Sequence, residues 1–168
     1  ELTQRLAAPP EAAANGELRL LVFRVASVWL ALPSACFEAT LAPVPVVPVP
    51  LRSNRHFLGL VNIRGELQLC FTLEHLLGPD PDEPVAPSGS VQVFPRLLLV
   101  NLRSQRWAFP VDEVLGTLEP SRTALDNPPP NLARPGQQLV AALFRAEGLR
   151  IKLLDGERLA ALFQEALA

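Results

Sequence analysis

The apolar residues of this chain fall in short runs, separated by polar residues, that are typical of β-strands rather than of long helices. The segment LRLLVFRVASVWLAL contains two such runs, Leu20–Val25 and Val28–Leu32, separated by only two residues. This spacing predicts an antiparallel hairpin with a tight connection at Ala26–Ser27. The same pattern predicts further hairpins over residues 97–111 and 139–154.

A fourth hairpin is predicted within LVNIRGELQLCF. Asn62-Ile63-Arg64-Gly65 is interpreted as its turn, because Asn and Gly tolerate the positive φ angles of tight turns. In the strand that follows, Leu67, Leu69 and Phe71 are expected to alternate toward the core. The chain closes with an amphipathic pattern over residues 158–168 that predicts a short helix.

Proline is unusually frequent, with 18 residues in 168. Five of them lie between Pro33 and Pro50, where they alternate with valines. Since proline cannot donate a ladder hydrogen bond, this segment is predicted to be an edge strand or an extended crossing. Residues 1–17 are expected to form a tail, and residues 79–96 a mobile loop.

The chain also contains an internal repeat. Leu20–Pro33 aligns with Leu97–Pro110 at a shift of 77 residues, and Ser, Ala and Pro coincide at matching positions. A glycine-containing hairpin followed by a short helix matches in the same order, Leu58–Leu77 over Leu139–Leu162, at a shift of about 82. The repeat predicts a mainly β protein of two small barrels with about five strands each, packed on a common core.

Composition narrows the possible functions. Lys+Arg 15 against Asp+Glu 17 gives a net charge of −2, which argues against a nucleic-acid binder. No apolar run approaches the roughly 20 residues of a membrane span. Cys36 and Cys70 both lie in apolar stretches, so buried free thiols in a reducing setting are favoured over a disulfide.

Catalytic motifs are not evident. His56 and His75 are the only histidines, and no ligand spacing around them predicts a metal or cofactor site. The neighbouring Asp112 and Glu113 are expected to point to opposite faces of a strand, which argues against a shared active site. Arg64 has two interpretations that the residues leave open: a solvated turn residue, or a directional contact to a partner protein.

In their order, these landmarks resemble the CheW-like domain of bacterial chemosensory systems over roughly residues 18–165. The resemblance is carried by LLVF…WLALP, VPVVPVP, FLGLVNIRGELQLCFTLEHLLG, WAFPVDEVLG and NPPPN. It implies two intertwined five-stranded, SH3-like β-barrels that share a hydrophobic core. We expect the first barrel to span about 34–96, and the second 18–33 plus 97–165.

The resemblance further implies a non-enzymatic, cytoplasmic adaptor at membrane-associated receptor arrays. Its partners would be the regulatory domain of a CheA-type histidine kinase and the cytoplasmic tip of a methyl-accepting chemoreceptor. Asn62, Arg64 and Gly65 would lie near a receptor-binding groove. Exposed apolar residues near Phe37 and at 59–61 (Gly59, Leu60 and Val61) would face the kinase.

One departure from the family pattern lies in Phe37-Glu38-Ala39-Thr40, where alanine replaces an acid that is frequent in the family. Glu38 is adjacent and is expected, with Phe37, to be among the receptor- or kinase-binding residues, although it points to the other face of the extended segment. The alternatives are therefore a coupling protein of a surface-sensing cyclic-di-GMP pathway, or a regulatory domain of a larger kinase or response-regulator hybrid. A small ligand-binding β-barrel is the least favoured alternative.

Overall fold

The computed structural model describes residues 18–50, 56–74, 95–127 and 137–167. The N-terminal segment 1–17, most of the predicted 79–96 loop, and His75 lie outside these ranges. Within them, ten strands precede one C-terminal helix. They are β1 (Leu20–Val25), β2 (Val28–Pro33), β3 (Phe37–Leu41), β4 (Phe57–Ile63), β5 (Glu66–Phe71), β6 (Arg96–Leu102), β7 (Gln105–Val111), β8 (Glu113–Leu118), β9 (Val140–Ala146), β10 (Leu149–Leu154) and α1 (Gly156–Leu167).

The strands form two five-stranded sheets. The hydrogen-bonded order is β8-β1-β2-β10-β9 in the first sheet and β3-β6-β7-β5-β4 in the second. The two orders are equivalent, because each strand of one sheet takes the place of the strand whose number is five higher or lower in the other sheet. Each sheet contains one parallel pair, β2 with β10 and β5 with β7, while its other pairs are antiparallel. The internal repeat and the mainly β architecture of two five-stranded units are therefore confirmed.

The hairpin turns fix the register of the repeat. The predicted connection at Ala26–Ser27 is confirmed, and Arg103–Ser104 is its counterpart at the predicted shift of 77. Arg64–Gly65 corresponds to Glu147–Gly148, and the shift is 83 rather than 82. Arg64 and Glu147 both have φ of 54°, so the left-handed backbone there is a demand of the two-residue turn rather than of one side chain.

The predicted allocation of strands to the two halves is wrong in one respect. The family resemblance places residues 97–111 in the same half as 18–33, but β6 and β7 pair with β3 and β5 in the second sheet. Hairpin β1–β2 in turn pairs with β8 and β10. The second sheet thus takes all its strands, β3 to β7, from the middle of the chain, while the first sheet combines β1 and β2 with β8, β9 and β10 from the far end.

Three apolar clusters hold the sheets together. A shared core lies between them and includes Phe23, Leu30, Trp107 and Phe109. Each sheet also has a smaller cluster of its own, around Trp29 in the first sheet and Val61 in the second. Because each sheet buries both faces, neither half provides a complete core alone.

Helix α1 closes the shared core, as its amphipathic pattern predicts. Phe163 stacks on Phe71 with ring centroids 4.4 Å apart, and it also contacts Trp107 at 5.5 Å. The helix begins two residues earlier than predicted. Asp155 precedes it and accepts hydrogen bonds from the backbone N–H groups of Glu157 and Arg158, which satisfies donors that have no partner within the helix.

The proline-rich segment crosses the edge of the second sheet. Val47 and Leu60 exchange two backbone hydrogen bonds, of 2.8 and 2.9 Å, in an isolated bridge to β4. Asp126 makes the corresponding bridge to Leu143 in β9. The crossing predicted for this segment is confirmed, and it covers a strand edge that would otherwise be available for pairing with another chain.

Candidate docking surface

The β4–β5 hairpin presents a rigid tip. The two residues between the strands are Arg64 and Gly65, with φ of 54° and 85°. The side-chain Oδ1 of Asn62 accepts a hydrogen bond of 2.9 Å from the backbone N–H of Gly65, which fixes the turn from inside. The Arg64 side chain is exposed and makes no hydrogen bond or ion pair with any residue that the structure describes. Its guanidinium is therefore available to a partner.

Exposed apolar side chains concentrate around β4. Three large hydrophobic residues are exposed in the described ranges: Val47 (62%), Leu58 (36%) and Leu67 (65%). Val47 lies in the segment that bridges to β4, Leu58 lies in β4, and Leu67 is the cross-strand partner of Asn62. Leu67 thus borders the hairpin tip, while Leu58 and Val47 lie toward the other end of β4, so the apolar exposure follows this edge strand, a placement that is typical of an interaction surface.

The exposure of Leu67 contradicts the prediction that Leu67, Leu69 and Phe71 all point into the core. Phe71 is fully buried and Leu69 is half-buried, but Leu67 is exposed. Alternation places the three side chains on one face of the strand, yet only part of that face is covered by the shared core. Leu67 lies at the uncovered end, next to the turn.

A row of ion pairs joins the hairpin to the far edge of the sheet. The Arg106 guanidinium bonds to Glu66 through Nη1 at 3.0 Å and to Glu38 through Nε at 3.1 Å. The amide of Asn101 donates a further hydrogen bond to Glu38. Since these residues lie on β5, β7, β3 and β6, the row connects four strands of the second sheet. All four side chains are at the surface, so each pair contributes less than about 1 kcal/mol.

The structure brings only some of the predicted site residues together. Asn62, Arg64 and Gly65 share the hairpin tip, and Glu38 is linked to that hairpin through Arg106 and Glu66. Glu38 and Ala39 face opposite ways, as predicted, since Glu38 is exposed and Ala39 packs on the cluster of the second sheet. We define the hairpin surface as Asn62, Arg64, Gly65 and Leu67.

The expected exposure of Phe37 and of residues 59–61 is largely wrong. Val61 is fully buried, Gly59 is buried, and Leu60 is half-buried. Phe37 is half-buried and packs edge-on against Phe23, with ring centroids 6.1 Å apart. The backbone of the crossing segment lies over Gly59: a Cβ added there would be 2.3 Å from the Val47 carbonyl oxygen. Gly59 therefore permits this close approach and offers no surface to a partner.

Sequence reasoning missed Leu67, Glu66 and Arg106 as surface features. Leu67 could have been found from its place opposite Asn62, since side chains paired across a hairpin lie on one face. Arg106 and Glu38 are 68 residues apart in sequence, and their pairing depends on β3 and β7 both flanking β6. No local pattern indicates it.

The neighbouring acids Asp112 and Glu113 both contact the β1–β2 hairpin. Glu113 is buried in contact with Arg24, whose Nε lies 3.1 Å from its Oε1. Asp112 is exposed and accepts a hydrogen bond from the backbone N–H of Ala26. Glu113 thus binds a side chain of that hairpin, and Asp112 binds its backbone. No group of three potential metal ligands lies together in the described ranges.

The two cysteines are free thiols, as predicted. Burial raises the pKa of the Cys36 thiol above its usual range, and it raises the pKa of Cys70 to about 12. Because the thiolate is the reactive form, neither environment activates a nucleophile.

Comparison with known proteins places this geometry in a family. The chain has 18% sequence identity to the scaffolding protein TtCheW from Thermoanaerobacter tengcongensis. The two structures superpose with a TM-score of 0.67, over 84% of this chain and 91% of that one, so they share a fold. None of the curated proteins searched matches the chain. No helix in the described part is long and apolar enough to cross a membrane. The family model of the CheW-like domain matches residues 19–164, and the chain therefore belongs to the CheW-like domain family.

Proposed function

We propose that this protein is a non-enzymatic adaptor that couples a methyl-accepting chemoreceptor to a CheA-type histidine kinase. Membership of the CheW-like family supports a scaffold role in chemotaxis signalling, and a relative of the same fold is itself a scaffolding protein. The partners are the kinase regulatory domain and the cytoplasmic tip of the receptor. The adaptor acts in the cytoplasm and reaches the receptor array through these contacts.

The observation that carries the proposal is the concentration of exposed apolar residues around one rigid hairpin. Leu67 is 65% exposed beside a turn whose arginine makes no intramolecular polar contact with the described residues. Burial of a leucine side chain by a partner contributes about 1.5–3 kcal/mol, and arginine supplies directional donors. An apolar anchor beside such a group is the usual composition of a protein–protein hot spot.

In this proposal the hairpin surface binds the receptor tip. The turn and the Asn62–Gly65 hydrogen bond hold the Arg64 backbone in place before the partner arrives, so little backbone entropy is lost on binding. The kinase domain then binds elsewhere on the protein, since one adaptor must hold both partners at once.

The test is a calorimetric titration of Arg64→Ala with a receptor-tip fragment. We expect binding to weaken by about 1–3 kcal/mol, as for a hot-spot residue, while the melting temperature stays close to that of the wild type. Glu147→Ala is the matched control, because Glu147 is exposed and occupies the same turn position with the same φ of 54°. Any change in backbone strain is then common to both variants. Equal receptor affinity of Arg64→Ala and wild type would remove Arg64 from the interface.

A further inference from the structure

The hairpin that corresponds to the hairpin surface has the opposite chemistry. In the second sheet Asn62 and Leu67 are cross-strand partners, and in the first sheet the equivalent partners are Arg145 and Arg150. Two residues further along the same faces, the pair Leu60 and Leu69 corresponds to Leu143 and Lys152. The repeat thus presents one fold element twice, once with a mostly apolar face and once with a cationic face.

The cationic pair has no compensation within the described protein. Arg145 and Arg150 are both exposed, and neither forms an ion pair or hydrogen bond with a described residue. Like charges directly opposite each other in an antiparallel pair destabilise the sheet. A single acidic replacement at either position would relieve that repulsion. The sequence instead has arginine at both positions, although an acid at one of them would stabilise the strand pair.

We propose that Arg145 and Arg150 form a second docking site, which binds an acidic segment of a partner protein. The two guanidinium groups suit carboxylates, because a guanidinium can donate a bidentate pair of charge-assisted hydrogen bonds to a carboxylate. A protein partner fits better than a nucleic acid or a membrane. Polyanion binding draws on many cations, whereas this site has two exposed arginines on a chain of net charge −2.

Only the role of this site in coupling rests on the proposed function; the site itself is inferred from the two arginines. A coupler needs two separate faces, and the hairpin surface and the arginine pair lie on different sheets. Two equivalent hairpins with different chemistry would allow one small module to discriminate between an apolar and an acidic partner.

The experiment uses Arg150→Glu in the full chain. Binding of a short fluorescein-labelled peptide rich in glutamate is measured by fluorescence anisotropy at low and at physiological salt, with a glutamine version of the peptide as the neutral probe. Arg103→Glu is the charge-matched control, since it makes the same charge change at an exposed arginine in the β6–β7 turn of the other sheet, where Arg103 pairs with Glu157. We expect Arg150→Glu to weaken acidic-peptide binding at least about ten-fold and to remove its salt dependence, while Arg103→Glu changes it less than about two-fold.

A second readout separates binding from folding. Arg150→Glu places a carboxylate opposite Arg145, so its melting temperature should rise above that of the wild type. A variant that is more stable yet binds less well supports the docking site. Equal loss of peptide binding in Arg150→Glu and Arg103→Glu would overturn it, as would equal binding of the acidic and neutral probes by the wild type. Because the probe requires neither kinase nor receptor, these results stand whether or not the proposed coupling function does.

Discussion

Gly59→Ala tests how the crossing segment is held against β4. The added Cβ would lie 2.3 Å from the Val47 carbonyl oxygen, 2.8 Å from its carbonyl carbon and 3.0 Å from the Pro48 Cα. All three are backbone atoms, so no side-chain rotation relieves the contact. The segment must move away, and both hydrogen bonds between Val47 and Leu60 would be lost.

The expected cost follows from these contacts. Two backbone hydrogen bonds contribute about 0.5–1.5 kcal/mol each, which gives about 1–3 kcal/mol. The φ of +142° adds a strain of about 1–3 kcal/mol for any residue with a side chain. The free energy of unfolding should therefore fall by about 2–6 kcal/mol, a large part of the 5–15 kcal/mol that is typical of a domain.

Gly116→Ala is the matched control. Gly116 has a φ of +129°, but a Cβ there meets no atom within 4 Å, so only the strain applies. Urea unfolding followed by tryptophan fluorescence suits the comparison, since Trp29 and Trp107 are both buried. The expected difference between the two variants is about 1–3 kcal/mol, from the lost bridge. Equal losses in both variants would refute the close approach described for Val47.

Two further predictions concern the shared core and the buried thiol. Phe163→Ala should lower the free energy of unfolding by about 3–5 kcal/mol in the same urea assay, because it removes the ring stacked on Phe71. Leu162→Ala, at a half-buried position, should lower it clearly less. Equal losses in the two variants would contradict the stacking. Between pH 9 and 12 the Cys70 thiol ionises in the unfolded chain but stays neutral in the folded protein. The free energy of unfolding should therefore fall by up to about 1.4 kcal/mol per pH unit in this range. An equally steep fall with pH in a Cys70→Ala variant would contradict this.

Much of the fold could be predicted because its signals are local. Short alternating runs predict the strands, and turn chemistry predicts hairpins such as the one at Arg64–Gly65. The repeat extends this to the number of strands in each half. Helix α1 is visible for the same reason, as an amphipathic period at Leu159 and Phe163 without an internal proline.

The remaining features depend on contacts between distant segments. Residues 97–111 could not be assigned to the correct sheet, because hairpins β1–β2 and β6–β7 have nearly identical patterns and either could join either sheet. The same limit applies to the candidate site. Val61 and Leu67 look alike in sequence, yet one is fully buried and the other is 65% exposed, since the packed faces cover only one of them.

In the proposed function, one protein holds two partners at once. The direct measurement immobilises the CheA-type regulatory domain on a biosensor and supplies the receptor-tip fragment with and without this protein. The receptor fragment should be retained only when the protein is present, and Arg64→Ala should reduce this retention while Glu147→Ala should not. Failure of the protein to bind either partner, or mutually exclusive binding of the two, would contradict the proposed coupling.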